Sequence, residues 1–190
     1  METESKILTD AFQRHSETFK NLENVLPEIE NAAVLLLEAV SKNRKVLSCG
    51  NGGSAADAQH FAAEFVCKYK DDRRPLPAIA LTVDTSIVTA IGNDYGFEYI
   101  FSRQVEALGE EGDVLVAITT SGSSKNVLAA MESARKKGMK IIVLTGFKGE
   151  KLKQDADAVV AIPSEETARI QEMHGLIIHA WCEFIDKKLQ

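Results

Sequence analysis

The chain lacks the features that mark secreted and membrane proteins. Its 190 residues include three cysteines, Cys49, Cys67 and Cys182, and this odd, widely spaced set fits neither a disulfide framework nor a Cys-x-x-Cys zinc site. No apolar run approaches the roughly 18 residues of a membrane span, and the first residues lack the basic-then-apolar order of a signal peptide. We therefore expect reduced cysteines that pack in the interior, a cytoplasmic protein and no membrane partner.

Positive charge is scarce as well. Lysine and arginine number 22 against 28 aspartate and glutamate residues, which gives a net charge of -6. This balance argues against a nucleic-acid groove as the main surface, although it leaves binding to a basic protein open. No helix-turn-helix segment or basic patch is present, so we predict no nucleic-acid partner.

From residue 45 onward, short β-rich runs alternate with amphipathic stretches. The runs span residues 45–49, 78–82, 113–118, 140–145 and 158–162. This alternation predicts right-handed crossovers and an α/β fold, a doubly wound five-stranded parallel sheet with helices on both faces. Because 45% of the residues are apolar and no repeat or linker interrupts the chain, we expect residues 1–190 to form a single domain.

A long helical pattern precedes the first strand. Apolar residues such as Ile7, Phe12 and Phe19 recur at helical spacing along residues 4–40. Such an apolar stripe must be shielded from water by another surface, so we interpret residues 1–42 as an N-terminal helical arm. It packs either on a partner subunit or back on its own sheet, and the sequence leaves both alternatives open.

A glycine-rich loop follows the first strand. Gly50, Gly52 and Gly53 let the backbone turn sharply and approach a ligand, and Ser54 is placed to cap the next helix. The free N–H groups in the first turn of a helix favour an anion such as phosphate. The loop matches neither the G-x-G-x-x-G dinucleotide pattern nor a P-loop, so a plain tight connection is the alternative.

The helix after this loop carries His60 and Glu64, which are four residues apart and so project from one face. Imidazole and carboxylate together suit zinc or a similar divalent ion. The flanking residues are largely apolar, which predicts that the helix is buried on most sides and that its charges need partners. A solvated ion pair is the alternative.

A second polar loop runs from Thr119 to Ser124, after the third strand and before a helix. Its five hydroxyls exceed what capping requires, so we interpret it as a phosphate site, with an ordinary capping turn as the alternative. If the strand order is 2-1-3-4-5, as in flavodoxin-like sheets, both loops open into one crevice. Asn93 and Asp94, after a short predicted helix, are candidates for binding sugar hydroxyls, or simply form a turn.

The final helix contributes Gln171 and His179, which are eight residues apart and hence about 12 Å apart along the axis. That spacing strains any single ion bound by both residues of one helix unless both side chains lean inward. A site shared between subunits would relieve the strain. A satisfied core histidine is the default alternative for His179.

Together these segments resemble the sugar isomerase, or SIS, domain family over nearly the whole chain. The resemblance rests on residues 48–54, 60–64, 91–94, 119–122 and 168–174 together with His179. It implies the SIS fold and a homotetramer with sites at subunit interfaces. The likeness is greatest to members that convert D-sedoheptulose 7-phosphate to D-glycero-D-manno-heptose 7-phosphate, the first step of ADP- and GDP-heptose and lipopolysaccharide core synthesis.

The resemblance also implies which residues form the site. The substrate-binding positions fall on Asn51, Gly52, Gly53, Ser54, Glu64, Asn93, Asp94, Thr119, Thr120, Ser121, Ser124 and Gln171. The metal positions, for one zinc ion per subunit, fall on His60, Glu64, Gln171 and His179. Where family members often have Ser-Thr-Ser-Gly, this chain has Thr-Thr-Ser-Gly at residues 119–122. Thr119 keeps the hydroxyl group, so only the fine geometry differs.

Ketose-to-aldose conversion moves a proton between two adjacent carbons through an ene-diol. We predict Glu64 as the general base and His179 as its partner acid/base, the two catalytic residues. Because Glu64 cannot easily be both a tight ligand and a free base, we expect it to be a changeable ligand.

Two alternative functions belong to other classes of protein. One is a non-catalytic SIS module that binds the bacterial replication initiator, but those relatives lack the acidic residue and the histidine found here at Glu64 and His179. The other is an SIS phosphosugar sensor fused to a DNA-binding regulator, which the missing helix-turn-helix segment disfavours.

Overall fold

Five parallel strands form one sheet in the computed structural model, which describes residues 2–190 and the side chains of residues 5–190. The strands are β1 (Val46–Gly50), β2 (Ala78–Ala80), β3 (Val114–Thr119), β4 (Lys140–Gly146) and β5 (Ala158–Ile162). They lie in the order β2-β1-β3-β4-β5, and every neighbouring pair is parallel. The predicted doubly wound sheet and its flavodoxin-like order are therefore confirmed.

Seven α-helices connect and flank these strands in the described part of the chain. They are α1 (Glu2–Lys20), α2 (Leu26–Ser41), α3 (Gly53–Val66), α4 (Thr85–Asp94), α5 (Ser102–Leu108), α6 (Lys125–Lys136) and α7 (Thr167–Lys188). Three 3-10 helices join them, Asn21–Val25, Phe97–Tyr99 and Phe147–Gln154. The helical pattern predicted over residues 4–40 is thus interrupted at Asn21–Val25, and α2 begins with a proline in its first turn, where the missing N–H costs no helical hydrogen bond.

Each face of the sheet carries its own hydrophobic core. Alternate strand residues point to opposite faces, so Val114 and Val116 pack with α2, α3 and α7, whereas Leu115 and Ala117 pack with α5 and α6. Strands buried on both sides read as continuous apolar runs, which is why the sequence identified β3, β4 and β5 well.

The three cysteines are unpaired, as predicted, but only two of them lie in the cores. Cys49 and Cys182 are buried, and burial raises the pKa of each thiol to about 12. Cys67 is exposed at the end of α3, so the prediction of an interior packing residue is wrong there. The helix ends before this residue, which leaves its side chain outside the apolar face.

The N-terminal arm divides into two parts with different surroundings; Met1, which the prediction included, lies outside the described residues. Helix α2 packs on β5 and α7, so this part folds back on its own sheet. Helix α1 reaches α7 through polar contacts, including His15 Nδ1 to Glu172 Oε2 at 2.8 Å. Its large apolar side chains stay exposed in the single chain: Ile7 by 66%, Leu8 by 64%, Phe12 by 72% and Phe19 by 52%.

Among the described residues, no helix combines the length and apolar character needed to cross a membrane.

One buried histidine ties α7 to the sheet. His174 is fully buried, and its Nε2 lies 3.3 Å from the carbonyl oxygen of Thr145 at the end of β4. Its Nδ1 has no hydrogen-bond partner among the described residues. Burial lowers the pKa of His174 from 6.5 to about 4, so the ring is neutral in the folded protein at pH 7.

This histidine predicts a pH-dependent stability. Between about pH 6.5 and pH 4 the unfolded chain binds a proton that the folded protein does not, so stability falls as the pH falls through this window. We expect the free energy of unfolding of the wild type, relative to His174→Gln, to drop by about 2 kcal/mol from pH 7 to pH 5. Urea denaturation at fixed protein concentration, with chelator present, measures it. A difference that does not change with pH would contradict the buried neutral ring.

Candidate active site

The glycine-rich loop connects β1 to α3 at the carboxyl end of the sheet. Gly52 has φ +56°, a left-handed conformation that favours glycine, and it is the N-cap of α3. The predicted cap at Ser54 is wrong, because the turn at Gly52 starts the helix at Gly53 and leaves Ser54 buried within the first turn. Of the N–H groups at this helix start, that of Ser54 donates to the carbonyl of Asn51 and that of Ala55 to the carbonyl of Gly52, so Gly52 and Gly53 supply the donors that an anion could use.

An amide pair joins this loop to the start of α6. Asn51 Nδ2 donates to Asn126 Oδ1 at 2.9 Å, and Asn126 Nδ2 donates back to Asn51 Oδ1 at 2.8 Å. Asn126 is buried at 3% exposure. This pairing leaves no sign in the sequence, because an asparagine at the beginning of a helix does not by itself indicate one.

The second loop lies beside the first because β1 and β3 are hydrogen-bonded neighbours, with Gly50 opposite Ile118. Thr119 and Ser124 share a hydrogen bond between their hydroxyls at 3.1 Å, and the Ser121 and Ser123 hydroxyls are 3.0 Å apart. Thr119 is buried, whereas Ser121 is exposed and Thr120 and Ser124 are partly exposed. The predicted convergence of the two loops at one edge of the sheet is therefore present.

His60, Glu64 and His179 come together about two to three turns after the starts of α3 and α7. Their ligand atoms all lie within 4.8 Å of one another. The two Nε2 atoms of His60 and His179 are 2.7 Å apart, and Glu64 Oε1 lies 3.7 Å from His60 Nε2. Two imidazole nitrogens and one carboxylate oxygen, converging from two helices, are a donor set that suits a divalent transition metal such as zinc.

The side chain of Gln171 lies against the glycine loop, so that a Cβ added to Gly53 would be 2.5 Å from Gln171 Nε2. His60 follows Gly53 by seven residues, or about 10 Å along the helix. Gln171 of the same chain therefore lies beside the start of α3, whereas His60, Glu64 and His179 meet further along this helix.

Asn93 and Asp94 are the last two residues of α4, not a turn after it. Both are exposed, and Asn93 Nδ2 donates to Asp94 Oδ1 at 2.7 Å. No hydrogen bond in the described chain links either of them to the two loops, so their role as sugar-binding residues stays a prediction.

Two neighbours of the cluster, Asp57 and Tyr69, were not predicted from the sequence. The carboxyl of Asp57, one turn before His60, is half-buried; burial raises its pKa to about 6, against the opposing effect of His60. Its position within an apolar helix was the available signal. The ring of Tyr69 stacks on that of His179, with centroids 5.3 Å apart and planes at 28°, and nothing in the sequence indicated this contact.

A family model described as SIS domain matches residues 11–146. The phosphoheptose isomerase of a Nitratiruptor species is 54% identical over 174 residues, which cover 91% of this chain and 93% of that relative. Matches of this length and identity show the family.

Solved structures agree with the sequence matches. Phosphoheptose isomerase GmhA from Neisseria gonorrhoeae has a TM-score of 0.89 at 46% identity, covering 96% of this chain and 98% of that one. A phosphoheptose isomerase from Francisella tularensis has a TM-score of 0.93 at 41% identity, covering 97% and 98%. The SIS fold is therefore shared over almost the full length.

The amide pair predicts a local effect on the glycine loop. Replacing Asn126 with alanine leaves the Asn51 amide without its partner, so we expect Asn126→Ala to lower the free energy of unfolding by about 1–3 kcal/mol. Hydrogen exchange of peptides covering residues 48–56 should become faster, whereas Asn24→Ala, an exposed asparagine, should leave it unchanged. Unchanged exchange in Asn126→Ala would mean that the pair does not hold the loop.

Proposed function

The chain belongs to the SIS domain family, among the phosphoheptose isomerases, and we propose that it converts D-sedoheptulose 7-phosphate to D-glycero-D-manno-heptose 7-phosphate. The observation that carries the proposal is that one helix, α3, begins at the glycine-rich loop and presents His60 and Glu64 further along, against His179. A phosphate site and an acid/base site separated along one helix suit a long phosphorylated sugar. The product would enter ADP- and GDP-heptose synthesis and the lipopolysaccharide core.

The phosphate group would bind between the two loops. The N–H groups at the start of α3, around Gly52 and Gly53, and those at the start of α6 supply backbone donors. The hydroxyls of Thr119, Thr120, Ser121 and Ser124 supply side-chain donors at the same edge of the sheet. Asn51, Ser54, Asn93, Asp94 and Gln171 remain the proposed partners of the sugar and phosphate oxygens.

Glu64 and His179 would move the protons. Glu64 would accept a proton from one carbon of the substrate, and His179 would exchange a proton at the neighbouring carbon or its oxygen. Each group contributes on the order of 10²–10⁴ in rate when it is well positioned. Glu64 is largely shielded from solvent, with 20% of its side chain exposed, which favours a defined position for its carboxylate.

The residues His60, Glu64 and His179 would hold one zinc ion per subunit, with Gln171 as the fourth ligand. Zinc bound there would polarise the substrate carbonyl and stabilise negative charge on the ene-diol oxygen. Gln171 of the same chain lies at the other end of α3, so we propose that the fourth ligand comes from a partner copy or moves into place when substrate binds. Glu64 would then leave the ligand set when it acts as a base.

We further propose that the active form is a homotetramer. The exposed apolar stripe of α1, with Phe12 at its centre, is the kind of surface that subunit contacts cover. His60 is also open to solvent in the single chain, with 46% of its side chain exposed, although its chemistry benefits from excluding water. Contact between copies near α1, α3 and α7 would cover both the apolar stripe of α1 and the exposed side chain of His60.

The replication-initiator binding module is not favoured. This chain keeps both Glu64 and His179 and brings them into one cluster, and its relatives at about half identity bear the isomerase name. We place the enzyme in the cytoplasm, in keeping with three unpaired cysteines, which suit a reducing compartment.

Glu64→Gln tests the catalytic assignment. The amide keeps the size of the side chain and removes its basicity, so we expect kcat on sedoheptulose 7-phosphate to fall by about 10²–10⁴-fold. Glu132→Gln, which changes an exposed carboxylate on α6, should keep its activity. Substantial turnover by a zinc-loaded Glu64→Gln protein would refute the role of Glu64 as the base.

Phe12→Asp tests the assembly. A charge at the centre of the apolar stripe should weaken the subunit contact, and we expect a smaller species in light scattering coupled to size-exclusion chromatography. The matched control is Gln13→Asp, which adds the same charge at an exposed polar position of the same helix. A tetramer unaffected by Phe12→Asp, or a wild type that is an active monomer, would contradict this part of the proposal.

A further inference from the structure

A buried ion pair contacts the end of α3 that carries Glu64. Arg73 Nε donates to Asp186 Oδ1 at 2.6 Å, and the two side chains are 4% and 1% exposed. Arg73 belongs to a strongly charged segment between α3 and β2, residues 68–74, in which most of the other side chains face solvent. A buried charge is costly unless it is paired and hydrogen-bonded, so this one position in the segment is built differently from its neighbours.

Arg73 fixes the end of α3. Its guanidinium donates to the carbonyl oxygen of Glu64 at 2.8 Å and to that of Phe65 at 2.9 Å. These are carbonyl groups in the last turn of a helix, which lack intrahelical partners and carry partial negative charge. The backbone of Glu64 is therefore held directly by a side chain that is itself anchored on α7.

Asp186 fixes the segment that follows α3. Its Oδ2 accepts hydrogen bonds from the backbone N–H groups of Lys70 at 2.9 Å and Asp71 at 3.2 Å. Burial alone would raise the pKa of the Asp186 carboxyl, but the hydrogen bonds from Lys70, Arg73 and Asp71 outweigh it and lower the pKa, so the group stays charged. Asp186 lies seven residues after His179 on α7, about two turns away.

The anchored segment places an aromatic ring on His179. Tyr69 directly precedes the backbone that Asp186 holds, and its ring stacks on the imidazole with centroids 5.3 Å apart. Stacking on one face restricts the rotation of the imidazole ring, which leaves Nε2 directed at His60, 2.7 Å away. Both proposed catalytic groups are thus held from one point, Glu64 through its backbone and His179 through its ring.

We propose that Tyr69, Arg73 and Asp186 are positioning residues that set the approach of Glu64 and His179 to the metal and substrate. The inference rests on the proposed function of the site. Outer partners of this kind orient the ligands of a metal without touching it, and their loss typically costs about 10–100-fold in metal affinity or activity. None of the three residues belongs to the proposed metal ligands or substrate-binding residues.

The Tyr69 variants give the sharpest test, because Tyr69 is only partly buried and its replacement should not prevent folding. We expect Tyr69→Leu to weaken zinc binding by about 10–100-fold in a chromophoric chelator competition and to lower kcat similarly, with little change in KM. The visible spectrum of the cobalt-loaded protein should change as well. Tyr69→Phe keeps the stacked ring and should restore all three readouts to nearly wild-type values.

Arg73→Met extends the test to the ion pair. Its matched control is Arg135→Met on α6, which breaks an exposed ion pair with Asp155. We expect a folded Arg73→Met protein to lose zinc affinity and kcat, and Arg135→Met to keep both. If the Arg73→Met protein does not fold, the comparison of Tyr69→Leu with Tyr69→Phe decides whether the positioning role holds.

The outcomes separate this inference from the function on which it rests. Wild-type zinc affinity, cobalt spectrum and kcat in Tyr69→Leu would overturn the positioning role while leaving the isomerase in place. A folded wild type that neither binds zinc nor converts sedoheptulose 7-phosphate would overturn the proposed function, and the positioning role with it.

Discussion

Helices α3 and α7 lie against each other on one face of the sheet, and every proposed chemical group depends on how they pack. Phe61 on α3 meets Trp181 on α7 edge to face, with ring centroids 6.4 Å apart, and both rings are fully buried. At one end this packing sets Gln171 against Gly53, and further along it sets His179 against His60. Side chains in a close-packed core have little freedom to shift, so apolar contacts fix the separation of the proposed phosphate site from the proposed acid/base site.

The sheet supplies the second constraint. Because β1 and β3 are neighbours in a parallel sheet, their carboxyl ends meet, and the loops after them meet too. The reciprocal amide pair of Asn51 and Asn126 joins the glycine loop to the start of α6, which holds the two loops together. Under the proposed function, a chain that is acidic overall would bind the phosphate through backbone N–H groups rather than through lysines or arginines.

The sequence predicted the sheet, its order and the residues of the two loops, because buried parallel strands and helix starts leave local patterns. It also predicted His60, Glu64 and His179, through spacing on one helix and the resemblance to a family. What it missed depends on tertiary contact: the stacking of Tyr69 on His179, and the buried pairing of Arg73 within a charged segment. The error at Ser54 has a local cause, since a left-handed glycine at Gly52 moved the helix cap two residues earlier.

The central claim is that a metal-dependent isomerase site lies where α3 meets α7. The most direct measurement is conversion of sedoheptulose 7-phosphate by the purified protein, as isolated, after chelation, and after zinc is restored. The account predicts that turnover is lost with the metal and regained with zinc. Turnover indifferent to chelation would remove zinc from the mechanism, and a properly folded oligomer that converts no substrate under any of these conditions would contradict the account.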